Sequence, residues 1–309
     1  MSDTGQGMLV TAPERWDEAC FSVPAIRALV ASGFPVTVLC PAVQETFWQT
    51  LPGLSILPYP VKASAGTISS SLSGKFAAAI VWEPGVAADA CAKAGIPRRT
   101  GPSGEKALTK RLTDPMPPPA PGPIEHRVRH YLALVEAMGI DTRVAAYFEP
   151  ADLGIAPDPG SVLLAPDSDY GRSHEWPLDR WEAVARSLLE DGARLTITGG
   201  HLGARLATAL GSSQVSPILL SDDSLPILAG FERVIAADGS LTHLAAHAGT
   251  TCVVLFGPNE PAWKRPLGKR HTVVRQHVEC SPCFAPKCAM DLRCQNELDL
   301  ERVLAAVRS

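Results

Sequence analysis

Residues 232–261 run ERVIAADGSLTHLAAHAGTTCVVLFGPNEP: an apolar stretch at 234–237, a polar break at Asp238, Gly239 and Ser240, a helical segment bearing His243 and His247, a β-branched run at 251–256, then Gly257 and Pro258. Strand, turn, helix, strand, turn in so few residues is the βαβ unit of a parallel sheet. In an open parallel sheet ligands sit at the carboxyl ends of the strands, where a helix N-terminus offers unsatisfied N–H groups to an anion. Asp238 to Thr242 should lie at that rim, and so should Gly257 to Glu260.

The alternation extends through the chain. Residues 8–11, 36–39, 54–57 and 76–82 have strand character, and helices are expected from Asp17, over 42–50 and over 86–94, the last stopped by Gly95. Asp17 should cap the first helix, and Pro24 should bend it or begin it afresh. Residues 124–138 carry a helical stripe of Val128, Tyr131, Leu132, Leu134 and Val135. Beyond a linker, LGIAPDPG, strands are expected at 162–165, 194–198 and 218–220, with helices at 177–191, 202–210 and 225–229 and an amphipathic one at 297–307. This predicts an α/β fold of two Rossmann-like, doubly wound parallel-sheet domains, 1–155 and 156–309. Neither half carries the Gly-x-Gly-x-x-Gly fingerprint, which makes a dinucleotide oxidoreductase the least favoured class.

With 309 residues and 46% hydrophobic content, two cores can be filled. A net charge of -4 gives no footprint for a polyanion, so no nucleic-acid partner is expected. No apolar run reaches the roughly 18 residues of a membrane span, and the N-terminus lacks a basic region followed by an apolar block. A soluble cytoplasmic chain is therefore expected. Cys20, Cys40, Cys91 and Cys252 lie in apolar contexts where cysteine packs as a small hydrophobe.

Three clusters stand outside this scheme. Arg98, Arg99, Lys106, Lys110 and Arg111 precede DPMPPPAPGP, a stretch read either as a surface loop with solvated charges or as a mobile basic flap for an anionic acceptor. Cys280, Cys283, Cys288 and Cys294 are close enough for a structural zinc site, or for packed and facultatively bonded thiols; their spacing is not that of a zinc ribbon. His243 and His247 share a helix face at i and i+4, but no His-Glu-x-x-His is present and no catalytic metal is expected. One of them should position Asp238 or a phosphate while the other packs in the core.

Asp238, Leu241, His243, Leu244, Ala245, Ala246, Phe256, Gly257 and Pro258 resemble the C-terminal signature of glycosyltransferase family 9, the bacterial heptosyltransferases of lipopolysaccharide core synthesis. That family usually has Ser or Thr and then Gly after the aspartate, whereas here Gly239 precedes Ser240. DEACFSVPAIRAL is similar to the element bearing the family's general base; counting back from Pro24 puts Glu18 at the base and Asp17 at a usual glycine, and both acids stay candidates. Read without the resemblance, they are acids favoured at a helix N-terminus. Trp176, Pro177 and Trp181 match the element after the second half's first strand, where His174 replaces a lysine and Arg172 could supply fixed charge. Gly199 and Gly200 take the place of the nucleoside-contacting turn, followed by His201 instead of an acid.

The resemblance implies a GT-B-like arrangement, with the two domains facing across a cleft, and an inverting, metal-independent transfer that needs no cofactor. Glu18 or Asp17 would take the acceptor's proton, and Asp238 would hold sugar hydroxyls. Gly239, Ser240, Leu241, Thr242 and His243, with Arg172 and His174, would hold the diphosphate of an ADP-heptose-like donor, and Gly200 and His201 would face its nucleoside. An anionic glycolipid acceptor implies peripheral contact with the inner membrane face, with Arg98, Arg99 and Lys106 as its candidate contacts. The replaced lysine, glycine and nucleoside acid leave open a transferase for another nucleotide sugar and a catalytically degenerate sugar-nucleotide-binding homologue. A cysteine-metal interaction module is a further class.

Overall fold

The short apolar runs become parallel strands in a computed structural model that describes residues 7–117, 124–211, 215–216 and 224–309. The chain divides into two units, Met1–Pro123 with Arg127–Phe148, and Ile124–His126 with Glu149–Ser309.

The first unit contains β1 (Met8–Thr11), α1 (Trp16–Ala31), β2 (Val36–Pro41), α2 (Glu45–Gln49), β3 (Leu54–Tyr59), α3 (Ala65–Leu72), β4 (Ala78–Ile80), α4 (Val86–Lys93), β5 (Arg98–Pro102), α5 (Lys106–Thr109), β6 (Asp114–Met116) and α6 (Val128–Ala137). Among the described residues its sheet has six parallel strands in the order β3-β2-β1-β4-β5-β6. β1 is buried along its whole length, as befits a central strand covered on both faces. Leu9, Leu39, Leu72 and Val81 share a core with Ala88 and Cys91 of α4.

α1 runs unbroken through Pro24, and neither it nor Arg15 before it has a side-chain cap. An interior proline costs a helix about 3 kcal/mol. Burial of Phe21, Val23, Ala25 and Ile26 around it outweighs that loss, at roughly 1.5–3 kcal/mol for each large side chain. Asp17 lies inside the first turn and is not the cap.

The stretch from Arg98 corrects the loop reading: it forms β5, α5 and β6 before the described residues break off at 117. β6 holds the sheet edge, where Pro115 loses no ladder bond that an outer neighbour would need. Gly101 is required by close approach, because a Cβ there would collide with the Val81 carbonyl. α3 was hidden in a serine-rich segment; Ser64 caps it by accepting from the Thr67 N–H at 3.1 Å.

The second unit contains β7 (Asp158–Ala165), α7 (Leu178–Glu190), β8 (Arg194–Thr198), α8 (His201–Leu210), β9 (Val215–Ser216), α9 (Ser224–Ala229), β10 (Phe231–Ala237), α10 (Ser240–His247), β11 (Thr251–Phe256), α11 (Pro261–Lys264), β12 (Thr272–Arg275), α12 (Arg293–Asn296) and α13 (Leu300–Arg308). Its six described strands run β12-β11-β10-β7-β8-β9, all parallel. Numbered from its own first strand this is 3-2-1-4-5-6, the order of the first unit, and the doubly wound expectation holds for both. The strand expected at 218–220 lies outside the described residues. Leu164, Ile235 and Leu255 of the sheet pack with Trp176, Trp181 and Leu304. Among the described residues no helix is long and apolar enough to cross a membrane.

Candidate functional site

In a doubly wound sheet the strand order reverses beside the first strand, and the loops leaving the two flanking strands open a crevice there. In the second unit those strands are β7 and β10, so the loop from Pro166 to His174 meets the turn at Asp238.

Asp238 follows β10 directly and is fully buried, with 0% exposure. Its Oδ2 accepts from Asn259 Nδ2 at 2.6 Å and lies 3.3 Å from His174 Nδ1. Its Oδ1 is buried with no hydrogen-bond partner among the described residues. Burial holds this carboxyl above the usual carboxylate range, against the opposing pull of His174, Asn259 and Lys264. His174 brings an imidazole to Asp238, and His243 and His247 are both buried in α10.

The loop after β7 supplies two further acids. Asp169 accepts the Ser240 N–H at 2.8 Å, so a side chain of the protein already serves the first amide of α10. Gly239 makes this possible, since a Cβ there would sit 2.9 Å from Asp169 Oδ1. This accounts for glycine directly after Asp238. Asp167 accepts from the amides of Leu202 and Gly203 at 2.7 and 2.8 Å, bringing a carboxylate to the Gly200 turn, which has no acid of its own in sequence. Ser168 Oγ donates to the Asp238 carbonyl at 2.6 Å and accepts the Tyr170 N–H at 3.1 Å, which fixes the loop.

The other expected donor contacts separate by burial. Leu241 is half-buried, whereas Thr242 is fully buried and its hydroxyl donates back to the Gly239 carbonyl at 2.8 Å, committing it to the helix start. Arg172, Gly200 and His201 are exposed. Lys264, which sequence reasoning passed over, is buried, with Nζ 4.4 Å from the centroid of the Tyr170 ring.

The cysteine-rich segment braces these loops. The amides of Cys283 and Phe284 donate to the Pro258 carbonyl at 3.0 Å each, Ser281 Oγ to the Gly257 carbonyl at 2.9 Å and Gln295 Nε2 to the Ser173 carbonyl at 3.2 Å. Ser173 Oγ donates to the Ala285 carbonyl. Cys294 is buried, Cys280 and Cys288 are half-buried and Cys283 is exposed. The Cys294 thiol is pushed up to about 11, by burial first and then by Cys283, Cys280 and Cys288 nearby. Among the described residues no three His, Cys, Asp or Glu side chains converge so as to hold a metal ion.

In the first unit the corresponding crevice lies between β1 and β4. Glu18, in the first turn of α1, keeps about a tenth of its side chain accessible. Arg127 Nε donates to its two oxygens at 3.0 and 2.9 Å, and Tyr131 Oη donates to Oε2 at 2.6 Å. Asp17 has 0% exposure and faces Arg15, whose Nε lies 3.1 Å from Oδ1. The two acids differ in access: Glu18 keeps some exposure and Asp17 is sealed. Glu83, just after β4, accepts the Glu14 N–H at 2.8 Å, and burial raises its pKa.

The basic residues Arg98 and Arg99 are tied into the sheet. Arg98 pairs with Asp114 at 3.0 Å, and Arg99 Nε donates to the Arg111 carbonyl at 2.6 Å. Their charges link β5 to β6 and the turn before it, and residues 118–123 of the flap reading lie outside the described residues. Lys106 is exposed at the start of α5.

Two doubly wound parallel units of one strand order make this a GT-B-like α/β protein. The chain belongs to glycosyltransferase family 9 (heptosyltransferase), whose model matches residues 94–293. It is 29% identical to lipopolysaccharide heptosyltransferase 1 of Pseudomonas aeruginosa over 138 residues, 42% of this chain and 39% of that protein. It is 22% identical to lipooligosaccharide heptosyltransferase 2 of Haemophilus influenzae over 159 residues, 48% and 45% of the two chains. The chain therefore spans less than half the length of the curated relatives it matches. In fold it is similar to the Escherichia coli ADP-heptose lipopolysaccharide heptosyltransferase II, with a TM-score of 0.77, 20% identity and coverage of 98% and 97%. For E. coli heptosyltransferase WaaC with ADP-2-deoxy-2-fluoro heptose the TM-score is 0.71, at 15% identity and coverage of 97% and 98%.

Proposed function

We propose that this chain moves a heptose-like sugar from a nucleoside diphosphate donor, ADP in preference to UDP or GDP, to a hydroxyl of a lipopolysaccharide-core-type acceptor. The observation carrying this reading is the meeting of the α10 N-terminus with Asp238, His174 and Asn259 at one switch point, in a chain of a heptosyltransferase family. E. coli WaaC, whose fold this chain resembles, has been solved with ADP and with an ADP-heptose analogue.

The reaction is inverting and takes no metal in the transfer step. The acceptor hydroxyl gives its proton to Glu18 while its oxygen forms a bond to the anomeric carbon. The bond from that carbon to the diphosphate breaks on the opposite face, and the nucleoside diphosphate leaves with the electron pair. Amides at the start of α10 and the cations beside them stabilise the leaving charge. Asp238 Oδ1, without a hydrogen-bond partner among the described residues, is suited to receive a sugar hydroxyl. A lipid-linked acceptor sets the work at the cytoplasmic face of a membrane, through peripheral contact.

A second reading, a sugar-nucleotide-binding homologue without turnover, is favoured by two contacts. Asp169 already takes the Ser240 N–H, and Arg127 with Tyr131 already holds Glu18. Calorimetric titration with ADP, UDP and GDP, followed by a transfer assay with ADP-heptose and a core-type acceptor, separates the readings. Tightest binding of ADP with turnover supports the transferase. Binding without turnover supports the homologue, and no binding of any of the three nucleotides removes both.

A further inference from the structure

The donor crevice is crowded with negative charge. Asp167, Asp169 and Asp238 stand at the ends of β7 and β10, and two of them already bond the amides that an anion would use. A diphosphate entering such a site needs a fixed cation close by. His174 is a poor source, since its Nδ1 already faces the Asp238 carboxylate at 3.3 Å. Arg172 is exposed, so water screens it.

Lys264 meets the requirement. It closes α11, the short helix that follows Asn259 and Glu260, and only 7% of it is exposed. Its Nζ lies 4.4 Å from the centroid of the Tyr170 ring and 5.2 Å from that of Trp263, so two aromatic faces hold the ammonium. Tyr170 also packs edge-on against His174 at 5.6 Å, and its amide is tied to Ser168, which bonds the Asp238 carbonyl. Trp263 is held in turn by Phe284 of the cysteine-rich segment, 5.1 Å away. Withdrawing an ammonium from water is costly, and this one is kept beside Asp238, close enough to favour the charged carboxylate.

We propose that Lys264 is the diphosphate-contacting cation of the donor site, carried there on the segment after β11 instead of on the loop after β7. The proposal rests on the donor-binding reading of the second unit and names the residue that pairs with the donor's charge. A cation in this role favours ADP over AMP, because the second phosphate adds charge that only a nearby fixed positive group rewards.

Calorimetric titration of the full chain with ADP and with AMP tests this, using wild type, Lys264→Met and Lys264→Arg. The methionine keeps the aromatic packing without the charge; the arginine keeps the charge. We expect Lys264→Met to weaken ADP about 10- to 100-fold and to narrow the ADP-to-AMP affinity ratio, with Lys264→Arg within about 5-fold of wild type. The proposal is overturned if Lys264→Met binds ADP as wild type does, if ADP and AMP weaken equally, or if both variants lose ADP alike, as a packing role would give. Wild type that binds neither nucleotide overturns the donor reading itself, and this proposal with it.

Discussion

The carboxylate of Asp169 stands 2.8 Å from the backbone nitrogen of Ser240 and takes the first amide of α10 for the protein itself. Partners 71 residues apart are brought together because β7 and β10 are neighbours in the sheet. An incoming diphosphate must share or displace this contact and meets a like charge as it does so.

Replacing Asp169 with asparagine removes that charge while keeping an oxygen to accept from Ser240. A carboxylate at a helix N-terminus is worth about 0.3–1 kcal/mol, so ADP should bind roughly 2- to 5-fold more tightly. Titration of Asp169→Asn against wild type checks it; unchanged or weaker binding would mean that the diphosphate does not approach α10.

The accessible acid in the first turn of α1 is Glu18. Glu18→Gln should lower kcat by about 10²- to 10⁴-fold, the range of a lost general base, with ADP affinity within about twofold. Asp17→Asn, whose partner is Arg15, should spare the chemistry and cost stability instead. Equal losses from both variants in a transfer assay would refute the division of roles.

Removal of Asn259 leaves His174 as the hydrogen-bond partner of Asp238 Oδ2 among the described residues, in a fully buried setting. Asn259→Ala should destabilise the second unit by about 1–3 kcal/mol, the cost of a buried polar group losing its partner. Urea unfolding followed by tryptophan fluorescence reads this, since Trp176 and Trp181 sit in that unit's core.

Stability should fall in mild acid. His271 Nδ1 accepts the Cys252 N–H at 3.2 Å, so it holds no proton, and burial takes this histidine down to about 4. Burial and then Arg127 take His130 to about 4 as well. For each, the unfolded form binds a proton near pH 6.5 while the native form resists until about 4. Their stabilisation is therefore present above about pH 6.5 and is lost as pH falls toward 4, worth up to about 3 kcal/mol for His271. Asp238 runs the other way, since its raised pKa makes its contribution fade as pH rises through that value. A melting series from pH 7.5 to pH 4 should show a declining midpoint, with a shallower slope in His271→Asn; a flat series would contradict the assignment.

Local pattern alone determined the order and kind of the main elements. Residues 251–256 are β11 as expected, and the apolar run into Asp238 is the end of β10, because a buried parallel strand needs an unbroken apolar run and its end needs a polar turn. The same logic placed Asp238 at the rim and Glu18 in a first helical turn. It missed β5 and β6, whose prolines and arginines suggest a loop until the edge position and the Asp114 partner are known. Only the tertiary structure decided which side chains meet Asp238. His174 is 64 residues away, Asn259 is 21, and Lys264 is buried by Tyr170 from another loop. Helix and strand periods record a residue's own neighbourhood, whereas a crevice at the strand-order reversal joins loops that only the sheet's pairing makes adjacent.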